Sequence, residues 1–600
     1  MAKRVAITIA GAVSLGAYEA GVLYELLEAF RSYNAECDRT NDPDRKIYVD
    51  VLTGASAGGM TAAMLGQRLM FDGASLEEAE TNPLYRTWVE RIDIKQLVRM
   101  QRDENKWHSL LSSDLIETIG REALVDSMAP GQTLSGAHSV IEQENGKPKP
   151  LDVGLAMTNL NGVDYMLRIV GSDEGGFNYA RSDDQMLFHI QADDRGNVAK
   201  WERMRGAAVA SGAFPAAFRP KGLKRQSCEY GTALPSSKAH QQVGKTYVDW
   251  GAEDIRRFAY ADGGVLQNQP LGMAKNFVDA RVKAAQESGR NDANAVADDR
   301  LYVLISPHAV KSQARDKLRA ERMTIASELV ELFHTYIRQA TFHDWIVAEG
   351  MNVDIHSLDN CVALLMRRMT RKPFEMSLTT NAKQLTQFTE MFVPGPTRRS
   401  RTLDRLKMQY AKEYQQVLDV RGADEAEAFL DAIATLEAAA GLGQRDLMKI
   451  VAVLADGRTE LAGSGLAAFV GFFSKAFREH DYWMGRVKTR VYLQRGDVKR
   501  ILGVDAWPEQ SKWGGQKESE VMKKLPNPTE IGELPLSLGQ MLGPGMGSLL
   551  LMVKARPAVL WVVGVVLLAA VLGVAGVVVL IVWAVTHGAC CVVHASHGIF

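Results

Sequence analysis

Cysteine is scarce. Five residues in a chain of 600 are too few for a disulfide framework, which fits a reducing compartment. No CxxC pair and no HExxH occur, and the twelve histidines are scattered. Nothing therefore has the spacing of a metal centre, and no cofactor is expected. Charge of one sign is not in excess either: Lys+Arg 70 against Asp+Glu 71 leaves −1. No overall basic field exists to draw the chain to nucleic acid. With 46% hydrophobic and 24% charged residues the balance is globular, and the length suggests two or three structural units.

One segment departs from that average. Ala558 to Val585 is 28 residues without a charge. As a helix it would run roughly 42 Å, enough to cross a hydrocarbon core of about 30 Å with tilt. Trp561 and Trp583 stand about 33 Å apart along such a helix, where interfacial aromatic anchors sit. Lys554 and Arg556 precede the run, and only histidines follow it. The positive-inside rule then predicts a single-pass C-terminal anchor over 557–586, with a short tail at 587–600 and the bulk of the chain on the cytoplasmic side. The N-terminal Lys3-Arg4 and the apolar run after them do not read as a signal peptide, because Glu19 interrupts the run and Gly11 and Gly16 read as a turn.

Residues 1–310 alternate short β-type runs with helical patterns. The runs are Val5–Ile9, Ile47–Leu52, Leu151–Met157, Tyr165–Val170, Phe258–Tyr260 and Leu301–Ile305; the helical patterns include Ala17–Phe30, Gly58–Leu69, Leu110–Leu124 and Leu271–Ala285. Strands separated by helices predict an α/β fold with a mostly parallel sheet covered on both faces, that is, three α/β/α layers. Residues 221–246 are polar and read as an irregular surface insertion. From 311 to 507 the periodicity is helical, at Leu318–Ala340, Leu403–Val417, Glu425–Ala440 and Leu447–Ala455. Prolines and glycines over 508–556 read as a loose connector to the apolar span.

The strongest local signal is Gly54-Ala55-Ser56-Ala57-Gly58, between a β-type run and a helical pattern. This is the G-x-S-x-G elbow in the context it requires. Small residues on both sides of Ser56 permit a tight turn that exposes its hydroxyl. The following helix N-terminus puts positive partial charge beside any oxyanion formed there. A second glycine turn, Gly11-Ala12-Val13-Ser14-Leu15-Gly16, follows the first strand. It lacks the Lys-Ser/Thr pair of a phosphate loop and the middle glycine of a dinucleotide fingerprint, so backbone donation to an oxyanion near Ser56 is the better role. The third signal is Asp262-Gly263-Gly264 at the end of a short apolar strand, with Pro270 suited to open the next helix.

Together these segments resemble the patatin-like phospholipases. That family has a glycine-rich oxyanion loop, a GxSxG elbow and a downstream Asp-Gly-Gly/Ala. Ala207-Ala-Val-Ala-Ser-Gly-Ala-Phe-Pro215 and Val153-Gly-Leu-Ala-Met-Thr-Asn-Leu160 resemble two further family stretches, the second with Asn159 where the family has Asp. The likeness covers roughly residues 3 to 310. It implies an acyl hydrolase working with a Ser–Asp dyad rather than a triad, acting on phospholipid or lysophospholipid without metal. In it Ser56 is the nucleophile, Asp262 the base, and the N–H groups within Gly11–Ser14 and of Ala57 hold the oxyanion. The same acyl-enzyme would also serve an acyltransferase, and a tethered scaffold with a degraded catalytic half is the rival of another class. Two departures matter. Ala12 and Val13 stand where the family has glycine, so any left-handed conformation there is costly. Leu15 stands where the family has a cation. Asp262 would also need burial to lift its pKa into a useful range. His308, after the last strand, offers a triad alternative with a strand-end loop as its plainer role. The basic cluster Arg486, Lys488, Arg490, Arg495, Lys499 and Arg500 reads as a solvated helix face or a contact for anionic lipid.

Overall fold

The computed structural model describes, in the main, residues 2–97, 111–168, 176–234, 245–287, 300–307, 357–371, 402–439, 450–455, 460–464 and 468–523. The anchor expected at 557–586, its tail, His308 and most of Leu318–Ala340 lie outside the described residues. Among the described residues no helix is long and apolar enough to cross a membrane.

Nine strands form the main sheet: β1 (Lys3–Ile9), β2 (Ile47–Ala55), β3 (Leu151–Leu167), β4 (Phe177–Ile190), β5 (Lys221–Gln226), β6 (Thr246–Val248), β7 (Ile255–Asp262), β8 (Arg300–Ser306) and β9 (Ile450–Leu454). Their order is β9-β8-β1-β2-β3-β7-β5, with β4 and β6 also paired to β3. From β9 through β3 the pairing is parallel, and β4, β6, β7 and β5 add an antiparallel side. The parallel strands β1, β2 and β8 are apolar almost throughout because both of their faces are covered.

Helices α1 (Gly16–Arg39), α2 (Ala57–Phe71), α3 (Val198–Ser211) and α4 (Leu271–Glu287) connect these strands. Successive residues of a strand point to opposite faces. On β3, the Val153 side chain approaches Gly66 of α2, whereas Gly154 lies beneath Met273 and Phe277 of α4. Helices α2 and α4 therefore cover opposite faces, and the three expected layers are present. Helix α4 also closes a small core with Ala6, Val51 and Tyr302.

The sheet does not end near residue 310. Leu447–Ala455, expected as helix, holds strand β9, which pairs with β8 from Tyr302↔Ile450 to Ser306↔Leu454. A nine-residue run with a single charge, Lys449, fits either period, and Ile450, Val451 and Val453 favour the strand once an open parallel edge is offered. Beyond α5 (Ala411–Arg421) and α6 (Ala423–Ala439), which share their own core around Phe429 and Ile433, helix α7 (Lys475–Gln494) packs along α1. Residues 1–526 accordingly form one compact unit. The region expected as an irregular insertion also contains structure: β5 pairs with β7, and its Lys221, Lys224 and Arg225 suit an edge strand. The two runs expected at 151–157 and 165–170 are one strand with an irregular step between Thr158 and Val163.

Helix α1 is buried nearly all round, and α7 is the reason. Arg486 donates through Nε to Glu25 at 2.9 Å, and Arg490 pairs with the same carboxylate. All three side chains are buried. The basic cluster is thus no solvated face at these two positions. Lys488 pairs with Glu460 and Arg495 with Asp497, and only the latter pair stands in the open. The start of the expected connector is not loose either: Trp513 is buried against Trp507, and its carbonyl accepts from Arg490 at 2.8 Å.

The two helices approach so closely because each presents glycine. A Cβ on Gly21 would run into the Tyr482 carbonyl, and one on Gly485 into that of Tyr18. Backbone cannot step aside as a side-chain tip can, so Gly21→Ala is expected to destabilise the protein by about 1–3 kcal/mol. Urea unfolding of the full chain checks this; an unchanged midpoint would mean that the helices part at no cost.

Candidate active site

Strand register brings three distant segments to one level. Ile9 pairs with Gly54, Ala55 with Ala156, and Met157 with Asp262. Strands β1 and β2 rise to this level and end, while antiparallel β7 descends and stops there. The glycine turn, the elbow and the acid therefore meet at the carboxyl ends of the parallel strands, where open α/β sheets place ligands.

Ser56 occupies the elbow with φ 54 and ψ −126, a left-handed backbone that a residue with a side chain adopts only at a cost of about 1–3 kcal/mol. The turn closes because Gly54 and Gly58 carry no Cβ: one on Gly54 would strike the Gly58 carbonyl, and one on Gly58 that of Ala10. Ser211, at the end of α3, accepts the Ser56 N–H at 2.9 Å and holds the elbow from the other side.

Ser56 Oγ donates to Asp262 Oδ2 at 2.5 Å. The other carboxylate oxygen accepts the Gly264 N–H at 2.7 Å. Asp262 is itself held at both ends of its peptide, by N–H donation to the Ala213 carbonyl at 2.9 Å and by Thr158 Oγ1, which donates to its carbonyl at 2.8 Å. Gly263 lies tight on the Ala156 carbonyl. Asp262 is only 2% exposed, and among the described residues no cation faces it. Burial pushes its pKa up from 3.8 to about 7, against the opposing pull of the bonds from Ser56 and Gly264. The condition set by the sequence, an acid lifted by burial, is met.

The turn after β1 differs from expectation at one donor. The Gly11 N–H points to Asn268, reaching Oδ1 at 2.6 Å and the carbonyl at 3.0 Å, so Gly11 positions the loop and offers nothing to an oxyanion. A Cβ there would lie 3.1 Å from Ser56 Cβ, which shows how close the loop comes. Ala12 accepts the Leu15 N–H at 2.9 Å, closing a helical turn over Val13–Leu15 that leads into α1 at Gly16. The first N–H groups of such a turn have no acceptor within it, and those of Val13 and Ser14 are the candidates here, as Ala57 is at the start of α2. Val13 has φ 52. A β-branched residue in this region costs about 1–2 kcal/mol, the strain foreseen where glycine is missing. Gly16 packs flat on the Trp88 ring.

Sequence reasoning missed the roles of Ser211 and Asn268. Both stand inside segments that drew notice, but their partners lie 155 and 257 residues away, and no local pattern reports that. Among the described residues no group of His, Cys, Asp and Glu side chains is arranged to hold a metal ion.

Residues 7–275 match the patatin-like phospholipase family model. The match takes in the glycine turn, the Ser56 elbow, Ser211, Asp262 and Asn268. An uncharacterized protein, y4iI, of Sinorhizobium fredii is 25% identical over 366 residues. The alignment covers 50% of this chain and 49% of that protein, so the chain spans about half the length of this relative.

Between pH 4 and pH 7 the folded protein keeps a proton on Asp262 that the unfolded chain releases, so stability from this group is lost as pH rises through that window. Asp262→Asn does not titrate. Its Tm minus that of the wild type is expected to grow from pH 4 to pH 7 and level off above; a difference that is flat or falls with pH contradicts the buried, proton-holding acid.

Proposed function

We propose that the protein is a serine lipid acyl hydrolase of the phospholipase A or lysophospholipase type, acting on the ester bonds of glycerophospholipids. The observation that carries this reading is the buried Ser56–Asp262 hydrogen bond, 2.5 Å long, at the end of an elbow beside two helix N-termini. The match of residues 7–275 to the patatin-like phospholipases supports the lipid class.

In this mechanism Ser56 Oγ attacks the ester carbonyl while its proton passes to Asp262 Oδ2. The carbonyl oxygen gains the negative charge and is held by the N–H groups of Val13, Ser14 and Ala57, preset by their helical turns and needing no reorganisation. Collapse expels the lysolipid alkoxide, which recovers the proton from Asp262, and leaves an acyl-serine. Water then repeats the sequence: Asp262 takes its proton, its oxygen attacks the acyl carbon, and fatty acid departs as Ser56 is reprotonated. An acid that titrates near 7 suits both directions of transfer at neutral pH, where an ordinary carboxylate would accept a proton poorly.

The apolar run at 558–585 extends the proposal to place. A C-terminal helix across the bilayer would keep the hydrolase beside a two-dimensional pool of substrate, raising effective concentration without added affinity.

Release of fatty acid from mixed phospholipid vesicles by the full chain tests the reading. Ser56→Ala and Asp262→Ala are each expected to lower kcat by at least about 10³-fold. The wild-type kcat/KM should rise with pH through about 7, because the free enzyme needs Asp262 ionised. Failure of the wild type to release fatty acid from any ester would overturn the assignment.

A further inference from the structure

The family match stops at residue 275, yet the turn that holds the oxyanion donors leans on residues beyond 460. Ser14 Oγ donates to the Ala468 carbonyl, and both residues are buried. Gly471 lies against the same hydroxyl: a Cβ there would stand 2.5 Å from Ser14 Oγ. Next along the turn, Leu15 reaches Gly463, whose Cβ would stand 3.0 Å from Leu15 Cδ2.

This distal segment is itself held firmly. Asp481 of α7 accepts the N–H groups of Ala462 and Gly463 at 2.7 and 2.9 Å. Arg478 of α7, 1% exposed, donates to the carbonyls of Gly471 and Phe472 at 2.9 and 3.2 Å, and through Nε to that of Val89 at 2.9 Å. On its other side Phe469 meets Phe214 edge-on, with ring centroids 5.2 Å apart. Phe214 follows Ala213, the carbonyl that anchors Asp262. The segment thus touches the donor turn and borders the strand end that carries the acid.

Two residues with left-handed backbones flank this contact. Val13, beside Ser14, has φ 52, and Ala468, the acceptor, has φ 68. Such conformations persist only where their surroundings over-determine them. We propose that Ala468–Phe472 is a positioning element for the oxyanion turn. Its hydrogen bond from Ser14 keeps Val13 left-handed, and with it the direction of the Val13 and Ser14 N–H groups. The inference rests on the hydrolase reading above. Without the bond, Val13 relaxes to negative φ and the following peptide turns its N–H away. Substrate still binds, but the oxyanion loses a donor.

The test uses Ser14→Ala and Gly471→Ala in the full chain. Rates are expressed per Ser56 labelled to completion by an alkyl phosphonate, so that misfolded molecules do not count. For each variant kcat is expected to fall about 10–100-fold on short and long acyl esters alike, with KM within about twofold. The rate constant for phosphonate labelling should fall in parallel, because that reaction uses the same donors. Should Ser14→Ala fail to fold, Gly471→Ala, which pushes on the hydroxyl from outside the family-matched residues, decides alone. Variants with wild-type kcat per labelled Ser56 overturn the positioning role and leave the hydrolase standing. An inactive wild type overturns the hydrolase reading, and this inference with it.

Discussion

Everything at the site depends on one carboxylate kept out of water. The rise of Asp262 to about 7 corresponds to roughly 4 kcal/mol against its ionised form. That figure is what remains after the Ser56 hydroxyl and the Gly264 amide, one on each oxygen, have drawn the pKa down; among the described residues no cation adds to their pull. A lysine or arginine beside Asp262 would favour its ionised form and at the same time lower its basicity. The site therefore carries a built-in conflict between stability and chemistry, and the surrounding bonds to Ala213 and Thr158 hold the strand end that bears it.

The second store of unfavourable energy is in the backbone. Ser56, Val13 and Ala468 are three of five non-glycine residues with positive φ among the described residues, and all three lie at or beside the site. Each is gripped by partners far away in sequence: Ser56 by Ser211, the Val13 turn by Asn268 and Ala468. Strain of this kind fixes the direction of N–H groups that a relaxed turn would let wander, which is what preset stabilisation of an oxyanion requires.

Much of this was legible in the sequence where chemistry and local pattern coincide. The runs at 5–9, 47–52 and 301–305 became the parallel centre, and Gly54–Gly58 became a strained elbow, because small residues and period are local signals. Asp262 was singled out by its glycines, and its carboxylate accepts from Ser56 Oγ. What was not legible depends on partners. The run at 447–455 has no period of its own, and only the open edge of β8 makes it a strand. Arg486 and Arg490 read as solvated until Glu25 is seen between them. Gly11 looked like a donor, and its N–H turns out to be taken by Asn268. Leu15 seemed a loss because the resemblance places a cation there. At 2% exposure it is instead a buried contact beneath Gly463, between the donor turn and the distal segment.

The site joins residues more than 450 positions apart. Bringing Ala468 to Ser14 closes a very long loop, but closure entropy grows only with the logarithm of length, so the distance is a weak obstacle. The larger requirement is that the distal segment arrive in one register. A buried carboxylate shared by two arginines adds little net stability, since desolvation of all three groups opposes their attraction. It does penalise every misplacement of α7, because a slip would leave a buried charge unpaired. The glycine contacts at 21 and 485 act in the same sense, admitting only the one close approach. Helix α7 in turn carries Arg478 and Asp481, which hold the backbone of Ala462 and Gly463 and of Gly471 and Phe472 beside the donor turn. The ion pair on α1 and the Ser14–Ala468 contact are thus joined through α7, in a part of the chain that the family match does not reach.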